Sequence, residues 1–390
     1  MPYKYVDKDL EEYIIEHRRY FHEHPELSWH EEKTSTYILN ELTKLGIEAR
    51  KIIGTGVLGI INPNKSGKVL AIRADIDALP IEEKTDLAFK SKSRGVMHAC
   101  GHDTHAAILL GAAKKLVTMK DELGKIVLLF QPAEEFIKDS GAKHVIEEKI
   151  LEKEGVDRII ALHIRSSLKS GEVAIQEGPV MASADTFRLE IIGNGGHGSE
   201  PHLTIDPIAV GSLIVQNLQN IVSRKNKPSK SMVLSVTAFN SGNTENVIPD
   251  RAELLGTTRS FDNKLRDKLP QMMDTVIKGI CDANEAKYKF EYNFGTPATV
   301  NEKEASEFAR RVAGEIIGEE NVVNHEPRMG GEDFAKYLTH IPGAMMFLGA
   351  KINDEDHPHH SGIFKIDESA MKTGSEYFIS YARKYFSQSL

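Results

Sequence analysis

Apolar residues recur along this chain with two distinct periods. Leu10, Ile14 and His17, then Tyr37, Ile38, Leu42 and Leu45, repeat at helical intervals and predict two amphipathic helices. The unbroken runs "VLGIIN" and "VLAIRAD" predict buried strands. A stretch rich in Ala and Leu over residues 104–119 predicts a helix. It is followed by the strand "KIVLLFQPA", a helix over 141–151, and the strands "RIIALHI" and "GEVAIQEG". Continuous apolar strands alternating with helices predict an α/β fold whose sheet is mainly parallel and covered on both faces.

The pattern changes at about Met181. "DTFRLEII" alternates Phe187, Leu189 and Ile191 with polar residues, as a half-exposed strand does. A helix with Val210, Ile214, Leu218 and Ile221 on one face follows, then the strands "SMVLSVTAF" and "AELLGTTRSF". Next come a helix over 265–284, with Pro270 expected near its start, and the alternating strand "KYKFEYNF". This β-α-β-β-α-β order is the ferredoxin-like split pattern. After Gly295 the α/β alternation returns, with helices over 302–317 and 367–384 around the strand "GAMMFLGA". The expected organisation is a large α/β domain, residues 1–180 and 296–390, interrupted by a smaller α+β domain, residues 181–295.

Composition narrows the class without naming it. With 40% hydrophobic and 27% charged residues, the 390-residue chain can bury a large core. A net charge of −8 and the lack of a basic block argue against nucleic acid and anionic membrane as partners. The charged start "MPYKYVDKDLEEYIIEHRRY" lacks the apolar core of a signal peptide, and no run approaches a membrane span, so a cytoplasmic setting is expected. The two cysteines, Cys100 and Cys281, cannot build a disulfide framework. Cys281 falls on an apparent helix and reads as a buried, inert thiol.

Four polar clusters interrupt this pattern at strand ends or loops: "HACGHD", "QPAEE", "LHIRSS" and "HPHHSG". Ligands of open α/β sheets bind beyond the carboxyl ends of the strands, where all four could meet. Each alone reads equally well as a solvated loop or a satisfied core histidine. Together, Cys100, His102, Glu135, His163 and His360 supply the imidazole, thiolate and carboxylate set of a zinc-type catalytic centre. Two ions would need a bridging ligand, for which Cys100 is the candidate. Neighbouring side chains of an extended chain point to opposite sides, so Glu135 can face metal while Glu134 faces water as general base. His98 and His105 are assigned supporting roles.

The motifs "RADIDALP", "HACGHDTH", "FQPAEE", "GNGGHGSEPH", "NVIPD", "GGEDF" and "HHSGIF", in this order, resemble a family of metal-dependent amidohydrolases. That family includes hippurate hydrolase, indoleacetyl-amino-acid hydrolase and N-acetyl-diaminopimelate deacetylase, relatives of aminoacylase and carboxypeptidase. The resemblance runs from "HEHPELSWHE" nearly to the C-terminus. It implies a catalytic domain interrupted by a lid and dimerisation domain, a homodimer, and two divalent ions per subunit. Zinc or manganese is the first expectation, with cobalt or nickel also compatible with such ligands. By position it matches Cys100, His102, Glu135, His163 and His360 to the ligands and Glu134 to the catalytic carboxylate. It further matches His197 to a histidine that polarises the scissile carbonyl, from the partner subunit in some accounts, and Asn246 and Arg259 to groups holding the oxyanion or substrate carboxylate.

The resemblance implies hydrolysis of an N-acyl amino acid or a small dipeptide-like amide by metal-activated water, with Glu134 as the base. Two alternatives stand beside it: a cysteine amidase with Cys100 as nucleophile and His102 or His105 as base, and a noncatalytic binding protein on the same fold. The chain also departs from the family's habit. A glycine-rich run is usual after "PAEE", but here Phe136, Lys138 and Asp139 follow. After His163, where an aromatic and a proline are frequent, Arg165 and serines appear. An altered substrate pocket is expected from both changes.

Overall fold

The unbroken apolar runs assemble into one eight-stranded sheet in a computed structural model that describes residues 3–353 and 355–387. The sheet order is Glu48–Ile52, Gly56–Ile61, Lys125–Gln131, Val69–Asp75, Arg158–Lys169, Gly343–Lys351, Val173–Ala174 and Val322–Val323. The four central strands, from Lys125–Gln131 to Gly343–Lys351, run parallel. Antiparallel pairing enters beside them, through Gly56–Ile61 on one side and Val173–Ala174 on the other. The central strands are almost wholly buried, which is why they read as apolar runs rather than alternating ones.

The helix His102–Thr118 is buried along most of its length and packs against the helices Lys8–Glu23 and Met371–Ser387. Gly111 permits the close approach of the first, since a Cβ there would lie 2.4 Å from Ile14 Cγ1. The helix expected over 141–151 is instead two short ones, Gly141–Glu147 and Ile150–Lys153. Lys149 between them has a left-handed φ of 55°, which an uninterrupted helix cannot contain.

The chain divides into two compact units, the first comprising the residues up to Gly178, Val300–Glu326, and Lys336 onward. The second comprises Pro179–Thr299 and Pro327–Ala335. The segment 327–335, which the pattern assigned to the larger domain, groups with the smaller unit through backbone bonding. Ala182 N donates to Arg328 O at 2.9 Å and Arg328 N to Val180 O at 3.0 Å.

Within the second unit, the strands Ala184–Ile192, Met232–Ser241, Arg251–Ser260 and Lys287–Thr296 form an antiparallel sheet. Its order places the two outer strands of the β-α-β-β-α-β repeat side by side, as ferredoxin-like topology requires. The helices Pro207–Asn220 and Asn263–Ala283 share a core with Phe187, Leu189, Ile191 and Leu254. Cys281 lies inside that core, and burial pushes its thiol up to about 11. Pro270 is interior to its helix rather than near the start. The helix begins earlier because the Asp262 side chain accepts from Lys264 N and Leu265 N, a cap that outweighs the proline signal. Among the described residues, no helix is long and apolar enough to cross a membrane.

Candidate metal centre

The first unit gathers Cys100, His102, Glu134, Glu135, His163 and His360 at the carboxyl-end side of the parallel strands. The grouping is built from short-range constraints. Gly101, between Cys100 and His102, has φ 87°, and a Cβ there would lie 2.3 Å from Ile164 Cγ2. Only glycine fits both demands. Gly101→Ala is therefore expected to destabilise the fold by about 2 to 4 kcal/mol and to weaken metal binding, as thermal unfolding and metal titration would show.

His102 opens the long helix, and its Nδ1 faces Asp77 O at 3.0 Å and Asp77 Oδ1 at 3.1 Å. These acceptors place the ring proton on Nδ1 and leave a free lone pair on Nε2. Nε2 is buried with no nitrogen or oxygen within hydrogen-bond distance; the Cys100 thiol interacts with His102, Asp75 Oδ2 lies 3.6 Å from Nε2, and Glu134 Oε2 and Glu135 Oε1 each lie 4.0 Å from it. Burial opposes charge on His102, but Asp75 and Asp77 outweigh it and hold the pKa well above the ordinary value. The pocket thus favours a cation at this nitrogen. A divalent ion would satisfy the orphaned atom, so the residues present fit a metal.

Cys100 Sγ lies 3.4 Å from His163 Nε2, whose Nδ1 donates to Ile164 O at 2.7 Å. Burial first, and the Arg165 charge second, hold His163 well below the usual imidazole range, so it stays neutral as a ligand must. Glu135 Oε1 lies 3.2 Å from His360 Nε2. Two ligand-like groups, Cys100 with His102 and His163, and Cys100 with Glu135 and His360, each have donor atoms within 4.8 Å of one another. They share Cys100. A further group, Asp75 with His102 and His105, is already filled by hydrogen bonds: His105 Nδ1 is 2.5 Å from Asp75 Oδ1, and His105 Nε2 accepts from Ile164 N at 2.8 Å. His105 therefore supports the centre without a lone pair to offer.

The adjacent glutamates do not diverge as an extended chain would make them. The strand ends at Gln131, and Ala133 then turns the chain with φ 53°, at a cost of roughly 1 to 2 kcal/mol. After that turn both carboxylates approach His102. His360 also adopts a left-handed φ, 58°, and its N–H donates to Ala99 O at 2.9 Å, tying the C-terminal loop to the cysteine loop. Asp77 links two parts of the centre, since it accepts from Glu135 N at 3.0 Å as well as facing His102. Asp75 and Asp77 carried no assigned role in the sequence reading. Their position, alternate residues at the carboxyl end of a buried strand, was the available signal.

A family model described as peptidase family M20/M25/M40 matches residues 71–384. The chain belongs to that family. It is a hydrolase. Thermostable carboxypeptidase 2 of Saccharolobus solfataricus is 43% identical over 94% of each chain. N-acetylcysteine deacetylase of Bacillus subtilis is 40% identical over 97% of this chain and 98% of its own. Among solved structures, the YXEP protein of Bacillus subtilis, described as a dinuclear metal-binding peptidase of family M20, superposes with a TM-score of 0.85. It has 38% identity, covering 97% of this chain and 99% of its own.

The remaining candidates of this M20 chain lie in the second unit. His197 and Asn246 are neighbours there, because the short strands Gly196–His197 and Val247–Ile248 pair, with His197 opposite Val247. His197 is exposed, and its Nδ1 accepts from Ser199 N at 3.2 Å, which puts the ring proton on Nε2. Arg259 lies elsewhere, with its Nε donating to Met329 O at 3.2 Å. Arg251 pairs with Ile192 and Thr258 with Asp185, so Arg259 stands eight residues, roughly 26 Å, along its strand from Arg251, whereas the His197 ladder is a separate two-stranded sheet that follows Ile192 in the chain.

Proposed function

We propose that this hydrolase cleaves the amide bond of N-acyl amino acids or small dipeptide-like amides, using two divalent ions held by Cys100, His102, Glu135, His163 and His360. The observation that carries the reading is the buried His102 Nε2, which no nitrogen or oxygen hydrogen-bonds, set among the carboxylates of Asp75, Glu134 and Glu135 beside a second, Cys100-sharing ligand group. Cys100 is the proposed bridge. Bound there, zinc or manganese would act as a Lewis acid and lower the pKa of water. Glu134 accepts the proton of the attacking water and returns it to the departing amine. His197 and Asn246 donate to the oxyanion, and Arg259 holds the substrate carboxylate through its bidentate fork. The products are a carboxylic acid and a free amino acid.

The alternative of a cysteine nucleophile is disfavoured by the thiol's setting. Cys100 is buried and shared by two ligand groups, and a cysteine route would leave Glu135, His163 and His360 without a role. A homodimer is proposed because His197 is exposed and its ladder is separate from the sheet that carries Arg259, an arrangement that suits His197 serving a second copy. A cytoplasmic setting suits two free cysteines.

The test is amino-acid release from a panel of N-acyl amino acids and dipeptides, with metal-loaded enzyme before and after chelation. Release that chelation abolishes and metal restores supports the reading. Release that survives chelation but stops on thiol alkylation would establish the cysteine route instead. Phe136 and Ile137, exposed directly after Glu135, set the expected preference. Their loop is fastened by Trp29 Nε1, which donates to Asp139 O at 2.9 Å. Phe136→Gly is expected to shift relative kcat/KM among acyl groups by about 10-fold, and an unchanged profile would remove Phe136 from specificity.

A further inference from the structure

Glu31 is 0% exposed, and its carboxylate hydrogen-bonds to Thr55 and Ala133, outside the six residues of the candidate centre. It stands at the N-terminal boundary of the helix Glu32–Lys44, where a polar side chain ordinarily caps the helix, but its carboxylate makes no such bond. Instead Glu31 Oε1 accepts from Ala133 N at 2.8 Å and Glu31 Oε2 accepts from Thr55 Oγ1 at 2.6 Å. Burial, with Asp77 nearby, pushes its carboxyl up to about 7, a sign of what it costs to keep this group inside. An apolar residue of similar size would serve a purely structural core better.

Ala133 is the residue that turns left-handed immediately before Glu134 and Glu135. Its N–H is held by Glu31, and its carbonyl accepts from Gly141 N at 3.1 Å. Gly141 is confined to glycine by the same turn, since a Cβ there would lie 1.9 Å from Pro132 O. Asp77 fixes the far side through Glu135 N. The two catalytic-centre glutamates therefore follow a strained turn that is held through its backbone by buried partners: Asp77, which also faces His102, and Glu31, whose carboxylate bonds go to Ala133 and Thr55 rather than to a proposed ligand side chain.

We infer that Glu31 is a positioning residue for the Glu134–Glu135 pair, acting through the Ala133 amide to keep the two carboxylates in working geometry. The inference rests on those glutamates being the working carboxylates, as proposed above. Glu31→Gln keeps the length and an oxygen for the Ala133 N–H, and its amide can donate to the Thr55 hydroxyl. Glu31→Asp keeps the charge but is one methylene short, and Glu31→Leu removes both acceptors.

The experiment compares all three with wild type, each normalised to folded, metal-loaded enzyme. E31D and E31L are expected to lose about 10- to 100-fold in kcat with KM within twofold, while E31Q stays within about threefold of wild type. A role confined to stability would move the melting temperature and leave kcat per folded enzyme in place. If E31L does not fold, E31D carries the test. E31D with wild-type kcat, or E31Q as slow as E31D, would overturn the inference. Hydrogen exchange at the Ala133 amide supplies a readout independent of turnover: it is expected to quicken in E31D, and unchanged exchange would overturn the inference as well. E134Q measured alongside separates the two proposals. Full turnover in E134Q would defeat the base assignment while leaving the exchange result to judge Glu31.

Discussion

Replacing Glu134 with Gln is expected to cut turnover by roughly 10²- to 10⁴-fold while the protein keeps its full complement of metal. That loss corresponds to about 3 to 5 kcal/mol of barrier. The substitution preserves volume and most hydrogen-bonding capacity but removes the ability to accept a proton. Glu135→Gln supplies the contrast. Glu135 faces His360 at 3.2 Å and belongs with Cys100 and His360 in one ligand group, so its variant is expected to lose metal first and turnover as a result. Steady-state kinetics beside metal analysis of both variants decides the matter. Near-normal turnover in E134Q would remove it as the base. Loss of metal from E134Q with retention in E135Q would exchange the two roles, an outcome the geometry leaves testable because both carboxylates lie 4.0 Å from His102 Nε2.

The contrast between these neighbours also shows what a sequence can and cannot display. Glu135 and His163 stood out as candidates because they follow runs of buried apolar residues, and Cys100 and His102 because a cysteine and histidines crowd one short stretch; the structure places these side chains close together. The buried strands Val69–Asp75 and Lys125–Gln131 were legible for the complementary reason, as continuous apolar text. The ferredoxin-like order of the second unit followed from period-two alternation in its strands. What escaped were features set by contacts distant along the chain. Asp77 gains its role from His102 and Glu135, and Glu31 gains its role from Ala133, 102 positions away. Asp77 left only its place just past the end of a buried strand as a trace, and Glu31 left none. The left-handed turn at Ala133 was hidden for another reason: alanine carries no mark of positive φ, whereas glycine at 101 does. Pro270 misled in the opposite direction, since a strong local signal yielded to the Asp262 cap and to the apolar face of Leu269, Met273 and Ile277.

Copies carrying Glu134→Gln and copies carrying His197→Ala, each nearly inactive alone, are expected to regain activity when combined in one dimer. His197 is exposed in its own unit, with Nε2 protonated and ready to donate. A donor stabilises an oxyanion strongly only where water is excluded, so an exposed His197 must be covered by something else to work. It also belongs to a separate two-stranded ladder, not to the sheet that carries Arg259, which the same reaction is proposed to use. Both facts are met if His197 and Asn246 serve the substrate of a second copy. In a twofold-symmetric dimer the two exchanges are equivalent, so a mixed dimer contains one site with both lesions and one with neither. Mixed dimers isolated by two different tags should therefore show about half the wild-type turnover, and an unsorted random mixture about one quarter. If His197 serves its own copy, each site of the mixed dimer carries one lesion and activity stays at the level of the parents. Failure of the two tags to copurify at all would remove the dimer, and with it the assignment of His197 to a neighbouring copy's substrate.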